Sequence, residues 1–452
     1  MNSTPPLFFQ RRFWPLWTAM SLGTLADNIL RQALLIGISF GIISVPGFGN
    51  SDDAIPIIGI LLPLGILTFS PIAGQLADKL ETSLMLRRTK AVEIILMVFA
   101  AVAFMSGNGP AAIATLFAMG VQSAFFSPTR TAALPKYLTP DELLRGNALC
   151  NAGLFTFILL GYGVGGYLIA LPNGPNIVGF ALVSASFFGW LASLRAPFAE
   201  ANDPSLKISF NSPRLALRIV KISARCPGIF PPLLGAAVFY FFSTAMTVLV
   251  PLFARDTLLS GPMVATALNG FFALGAGLGS IFAATLPKGR SGLGFSGAAV
   301  LLASVTCVGL GIVFILIPVP QPGTFSLRNL LTTPFGLCIC TAFILMSAFM
   351  AMYISPLQAA MQRRAPHDVR ARIMATCVFA NAVFAIPGSL SVLSVTSAGL
   401  TPPMAFIALG LLMAGIAGVM AYRKQKFPDG HYDESLRDKS AHKVNEKYGA
   451  AD

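Results

Sequence analysis

The chain is short of charge. Only 11% of its 452 residues are Asp, Glu, Lys or Arg, with 18 acids, 31 bases and three His, where soluble domains carry roughly a quarter charged residues. That scarcity excludes a water-soluble globule. The three His (His367, His431, His442) all lie in polar stretches outside the apolar runs, which excludes a His proton relay inside a membrane. None is followed by the Asp of a His-x4-Asp acyl-transfer pair, because Arg372, Leu436 and Lys447 stand there instead. No Gly-rich Walker-type phosphate loop occurs, so no ATP site and no enzyme active site is legible, and catalytic, metal and cofactor sites are all expected to be absent. The six cysteines are Cys150, Cys226, Cys307, Cys338, Cys340 and Cys377. The pair Cys338-x-Cys340 points to two faces of one apolar helix, so it reads as small-residue packing.

What the chain has in quantity is apolar runs. Hydrophobic residues make up 55% and mean hydropathy is +0.73. Twelve runs are expected to cross a membrane: 14–45, 55–77, 91–107, 111–134, 146–171, 177–194, 229–254, 263–286, 295–317, 335–361, 373–397 and 402–422. Each spans a hydrocarbon core of ~30 Å at about 1.5 Å per residue. Of the 31 basic residues, all but Arg31, Arg255 and Arg328 fall at the two ends or in even-numbered loops. Under the positive-inside rule this is a multi-pass bacterial inner-membrane protein with both termini cytoplasmic. The net charge of +13 then faces anionic headgroups, and no nucleic-acid partner is expected. No cleavable signal peptide is expected either, since the first apolar run is long and eleven others follow.

The expected organisation is a six-helix bundle over 1–195, a cytoplasmic linker over 196–228, a second six-helix bundle over 229–422 and a disordered cytoplasmic tail over 423–452. Within the linker, Arg214, Arg218, Lys221 and Arg225 recur at helical spacing with Leu and Ile between them, as in a short amphipathic helix lying on the cytoplasmic leaflet. The halves echo one another. Ser127-Pro128 and Ser355-Pro356 each precede a basic loop, which with the six-plus-six count suggests two parallel repeats. The fold class expected is an all-α membrane protein of twelve helices.

The loop after the second run reads Gly74-Gln75-Leu76-Ala77-Asp78-Lys79 and continues to Arg87-Arg88. It resembles the loop signature of the major facilitator superfamily. Gly74 would let two helices approach closely and Asp78 would cap or salt-bridge a helix end. The resemblance makes Gly74, Asp78, Arg87 and Arg88 a cytoplasmic conformational latch. A more specific resemblance rests on Asp27-Asn28 in the first run, Phe126-Ser127-Pro128-Thr129-Arg130, Leu134-Pro135-Lys136-Tyr137-Leu138, Gly146-Asn147-Ala148-Leu149 and Pro356-Leu357-Gln358-Ala359-Ala360-Met361-Gln362. These resemble the bacterial lysophospholipid transporter family, a major facilitator branch found alone or fused to a lysophospholipid acyltransferase. The chain departs from that family in carrying Arg130 where Lys is usual, Cys150-Asn151 after Gly-Asn-Ala-Leu, and no Arg in the seventh run.

The resemblance implies a secondary transporter or flippase that moves lysophospholipids, chiefly lysophosphatidylethanolamine, to the cytoplasmic leaflet by alternating access. Membrane lipids and a separate acyltransferase are the implied partners, and the protein is expected to be a monomer. Asp27 is the deepest acid, about 20 Å along its helix from Trp14. Either it meets a headgroup ammonium or coupling cation, or it is only the structural partner of Arg31, one turn on. Arg130 suits a phosphate because a guanidinium donates in bidentate fashion, or it is a topology anchor. Asn28, Arg31, Asn147 and Asn151 complete the expected substrate site. Two other readings remain open: a proton-coupled exporter of drugs or metabolites with Asp27 as its proton site, and a non-transporting scaffold for an acyltransferase.

Overall fold

The computed structural model describes residues 7–46, 51–206, 208, 229–285, 290–317, 325–364 and 370–426. The amphipathic helix expected over Arg214–Arg225 and most of the expected tail lie outside the described residues. Among those described, twelve long helices carry the fold: α1 (Trp14–Ser39), α2 (Ser51–Lys79), α3 (Thr82–Met105), α4 (Gly109–Tyr137), α5 (Pro140–Ile169), α6 (Gly174–Leu194), α7 (Phe230–Leu252), α8 (Pro262–Thr285), α9 (Arg290–Leu316), α10 (Pro334–Arg364), α11 (Arg370–Ser397) and α12 (Pro402–Lys426). A π-helical turn, Phe253–Thr257, extends α7, and a six-residue helix, Leu327–Thr332, precedes α10. The all-helical expectation holds.

The starts are encoded locally. A proline stands in the first turn of α1, α4, α5, α6 and α7, where its missing N–H has no partner to lose. The Asn108 side chain accepts from the Ala111 N–H at 3.0 Å to cap α4, and Thr139 with Glu142 forms a capping box on α5.

Ten of the helices are long and apolar enough to cross a membrane. The two that fall short are α1 and α3. On α3 the charged residues point inward: Lys90 and Glu93 are buried, while Val92, Ile95, Val98, Phe99 and Val102 are exposed. Apolar outside and charged inside is the arrangement lipid imposes on a helix that must carry ionisable groups. The third run was expected over 91–107 with Lys90 in a loop. Instead α3 begins at Thr82, only Leu80 and Glu81 separate it from α2, and Lys90 is 0% exposed. The basic residues had masked a helix start.

The chain packs as two compact units, residues 1–212 and 213–452. In the first, α1 packs on α5, α2 on α4, α3 on α6 and α3 on α4. In the second, α7 packs on α11, α8 on α10, α9 on α12 and α9 on α10. These four pairings repeat under a shift of six helices, as in a duplicated bundle, whereas α1 also packs broadly on α6 and α7 only lightly on α12.

Candidate functional site

In the first unit α1 is held tightly against α5. A Cβ at Gly161 would stand 2.6 Å from the Asn28 Cβ, and one at Gly165 would stand 2.7 Å from the Ile29 carbonyl oxygen. Only glycine admits the backbones so close, as in small-xxx-small helix pairs of membranes. Trp17 Nε1 adds a bond of 2.9 Å to the Leu149 carbonyl. This contact fixes the rotation of α1 and hence where Asp27 points.

Asp27 lies against α4, where the Ser123 hydroxyl donates to its Oδ2 at 3.4 Å. One turn before Asp27, Gly23 leaves a notch in α1 that the Lys90 ammonium and the Glu93 carboxylate of α3 fill. These two form a buried ion pair at 2.7 Å. Gln122 of α4 donates to Glu93 Oε2 and to the Thr89 carbonyl, both at 3.1 Å. The Lys90 ammonium also sits 4.6 Å above the centre of the Phe126 ring, a cation–π contact that partly replaces lost hydration. Asp27 interacts electrostatically with both Glu93 and Lys90. Three helices thus converge on one charge cluster.

The expected Asp27–Arg31 pair does not form. The Asp27 carboxylate meets Ser123, the Arg31 Nε has no hydrogen-bond partner, and the counter-charge near Asp27 is Lys90. One turn of helix makes such a pair possible, but the tertiary partners on α3 and α4 decide where Asp27 points. The Asn28 amide donates to the Thr24 carbonyl at 2.7 Å, so one of its two N–H donors is spent within α1. Arg130 is half-buried, seven residues beyond Ser123 on the same stripe of α4, and interacts electrostatically with Cys150 of α5. Asn147 and Asn151 belong to α5, but their side chains lie outside the description.

Sequence reasoning missed Glu93 and placed Lys90 in a loop. The signal was available: a Lys and a Glu three residues apart at the head of an apolar run can neutralise one another inside a helix.

The latch residues have a different geometry from that expected of them. No described atom comes within 4 Å of a Cβ placed at Gly74, so within the described residues no close helix approach depends on it. Asp78 receives the start of the linker: its carboxylate accepts from the Asn202 amide at 2.8 Å, and its carbonyl accepts the backbone N–H groups of Asn202 and Asp203 at 3.0 and 2.9 Å. Arg87 donates to the Ala196 carbonyl at 3.0 Å, whereas Arg88 is exposed. Thr82, Lys136 and Tyr137 bind the carbonyls of Ala199, Glu200 and Pro197. Residues 196–203 therefore form a strap across the ends of α2, α3 and α4.

Among its described residues the second unit has no such buried charges. Its buried polar residues include Thr244, Thr266, Asn269, Ser304 and Ser347, and none of those described as buried is charged. Asn381 donates to Cys377 Sγ at 3.9 Å, and Tyr353 donates to the Gly235 carbonyl at 2.8 Å.

Solved transporter structures share this fold. A POT family transporter in complex with 5-aminolevulinic acid superposes with a TM-score of 0.70 over 92% of this chain and 96% of its own, at 13% identity. A D-xylose-proton symporter gives 0.64 over 90% and 97%, also at 13%. The chain belongs to the Major Facilitator Superfamily, whose family profile matches residues 13–389. Among curated proteins it is similar to the lysophospholipid transporter LplT of Enterobacter sp. (strain 638), 24% identical over 71% of this chain and 74% of that protein. It is likewise similar to LplT of Klebsiella pneumoniae subsp. pneumoniae, 25% identical over 70% and 73%. An uncharacterised MFS-type transporter of Bacillus subtilis, YceJ, is 32% identical over 23% of this chain and 26% of its own.

Proposed function

We propose that this major facilitator transporter moves lysophospholipids across the bacterial inner membrane to the cytoplasmic leaflet, with lysophosphatidylethanolamine as the preferred substrate. The observation that supports the reading is that Asp27 of α1 meets Ser123, which shares one stripe of α4 with Arg130. Ser123 holds the acid, and the guanidinium stands two turns further on, about 10 Å along the helix. A zwitterionic headgroup needs such a pair of stations: a carboxylate for its ammonium and a guanidinium fork for its phosphate. The similarity to LplT proteins over 70–71% of the chain points to the same substrate class. Alternating access of the two units would carry the headgroup between leaflets, with Asp78, Arg87 and Arg88 gating the cytoplasmic side and both termini cytoplasmic.

The test is leaflet-resolved uptake of labelled lysophospholipids by spheroplasts with and without the protein. Faster arrival of lysophosphatidylethanolamine in the cytoplasmic leaflet supports the reading. Unchanged arrival of every lysophospholipid, alongside transport of a soluble drug or metabolite, would select the exporter reading instead.

A further inference from the structure

Asp27 and Glu93 each keep one carboxylate oxygen, Oδ1 and Oε1, buried and without a hydrogen-bond partner. The other oxygen of each is engaged: Glu93 Oε2 by Lys90 and Gln122, and Asp27 Oδ2 by Ser123. Gln122 and Ser123 are chain neighbours on α4, while Gly23, which faces the Lys90–Glu93 pair, lies one turn from Asp27 on α1. The two acids therefore line one enclosure: Glu93 faces Gly23, Asp27 stands one turn further along α1, and the two interact electrostatically.

The charges that face this enclosure can be stated helix by helix. From α1 comes Asp27; Arg31, one turn on, makes no hydrogen bond or ion pair with it among the described residues and is not among the groups that act on it electrostatically. From α3 come Lys90 and Glu93, and from α4 the neutral Gln122, Ser123 and Phe126. α6 offers Gly189, whose added Cβ would lie 3.9 Å from the Lys90 ammonium.

Lys90 and Glu93 are buried and paired with each other, so the half-buried Asp27, whose Oδ1 is itself buried and unpartnered, adds a carboxylate with no cation of its own. An unpaired buried charge is costly enough that the group neutralises instead. A hard metal cation would ask for about six oxygen ligands, and the enclosure offers two free carboxylate oxygens. A proton needs only one or two.

We propose that Asp27 and Glu93 hold a single exchangeable proton against the fixed charge of Lys90, and that a headgroup ammonium arriving at Asp27 displaces it. The exchange balances: one carboxyl O–H bond breaks, one proton leaves to solvent, and one ammonium takes its place beside the carboxylate. The first half stands on the charge cluster alone, whereas the second rests on the substrate reading above.

Infrared spectroscopy of the purified protein without lipid tests the first half through the C=O stretch of a protonated carboxyl at neutral pH. The wild type should show it with an amplitude of one carboxyl. Asp27→Asn and Glu93→Gln should each abolish it, because the remaining carboxylate is then balanced by Lys90. Lys90→Met should double it. If Lys90→Met fails to fold, the wild type and the two neutralised acids still decide the matter. A wild type without the band, or a band that survives both neutralisations, overturns the proposal. The second half is read with an indicator dye in weakly buffered detergent solution. Lysophosphatidylethanolamine should release one proton per protein, and lysophosphatidylglycerol none. A preserved band with no release on adding lysophosphatidylethanolamine, or equal release by both lipids, leaves the proton site standing and overturns the exchange together with the headgroup assignment.

Discussion

Lys90 of α3 fills the notch that Gly23 leaves in α1, so one glycine admits the only fully buried ion pair among the described residues. Gly23→Ala would drive a methyl group into the ammonium and to within 3.2 Å of the Glu93 carboxylate. The pair cannot retreat into solvent. The expected loss is ~1–3 kcal/mol of overpacking, seen as a lower melting temperature in detergent. Gly163→Ala, where an added Cβ meets no described atom within 4 Å, should be neutral or slightly stabilising, as a helix-favouring change. Equal melting of the two variants would mean that the notch does not constrain the pair.

Asp27→Asn should abolish uptake of lysophosphatidylethanolamine and spare lysophosphatidylglycerol more. Adding Arg31→Gln should not restore it, because the groups acting on Asp27 are Ser123, Lys90 and Glu93. A double variant with wild-type uptake of both lipids would return Asp27 to the role of structural partner to Arg31.

The strap should loosen by stages. Lys136→Met removes bonds to the Thr82 hydroxyl and the Glu200 carbonyl, and Tyr137→Phe removes the bond to Pro197, at about 0.5–1.5 kcal/mol each. Protease nicking between Ala196 and Leu206 should rise in both variants and most in their combination. Asp78→Ala keeps the carbonyl bonds to Asn202 and Asp203, so it should nick least while slowing transport at unchanged protein level. Wild-type rates from well-expressed Asp78→Ala would separate the strap from the transport cycle.

Arg12 donates to Glu142 at 2.6 Å. That bond, followed by the Thr139 backbone N–H, holds the Glu142 carboxyl below its ordinary range. A carboxyl lowered in the fold stabilises it fully above the unfolded value of about 4.3 and ceases to as pH falls through the folded value. The melting difference between wild type and Glu142→Gln should therefore be constant from about pH 5 upward and shrink below about pH 4. In an Arg12→Gln background the difference should be smaller, and its shrinkage should begin at the same pH but be complete at a higher one. A difference that grows on acidification would reverse the sign of this linkage.

A reporter fused after Tyr422 should read cytoplasmic, and one inserted near Asn50–Asp53 periplasmic. A periplasmic reading at Tyr422 would imply an odd number of crossings and break the correspondence between the two units.

The apolar runs were legible because a bilayer demands length and hydropathy, and both are linear properties of sequence. The helix starts were less so. Thr82–Lys90 holds Arg87, Arg88 and Lys90, so hydropathy assigns it to a loop, although a helix buries one face of it. Asp27 was legible as a lone acid in an apolar run, yet its partner was not. Position i+4 names Arg31, while the packing of α3 and α4 supplies Lys90, Glu93 and Ser123 from about 60 to 100 residues away, as the chain positions themselves show. The strap was hidden for a similar reason. Its bonds run from backbone groups of residues 196–203, and backbone groups carry no sequence signal of their own.

The inward charges of α3 also bear on how the chain enters the membrane. A Lys or Glu presented singly to lipid near a helix centre costs about 2.5–3.5 kcal/mol on the insertion scale. As α3 leaves the ribosome, α1 with its Gly23 notch has been made, but α4 and α6, on which α3 packs most broadly, have not. Pairing Lys90 with Glu93 within one helix lets α3 arrive nearly neutral, but its polar face stays only partly covered until Gln122 of α4 and Gly189 of α6 close beside it. Lateral release from the translocon should accordingly be delayed for α3 until the last helix of the first unit has been synthesised, making that unit a single step of biogenesis.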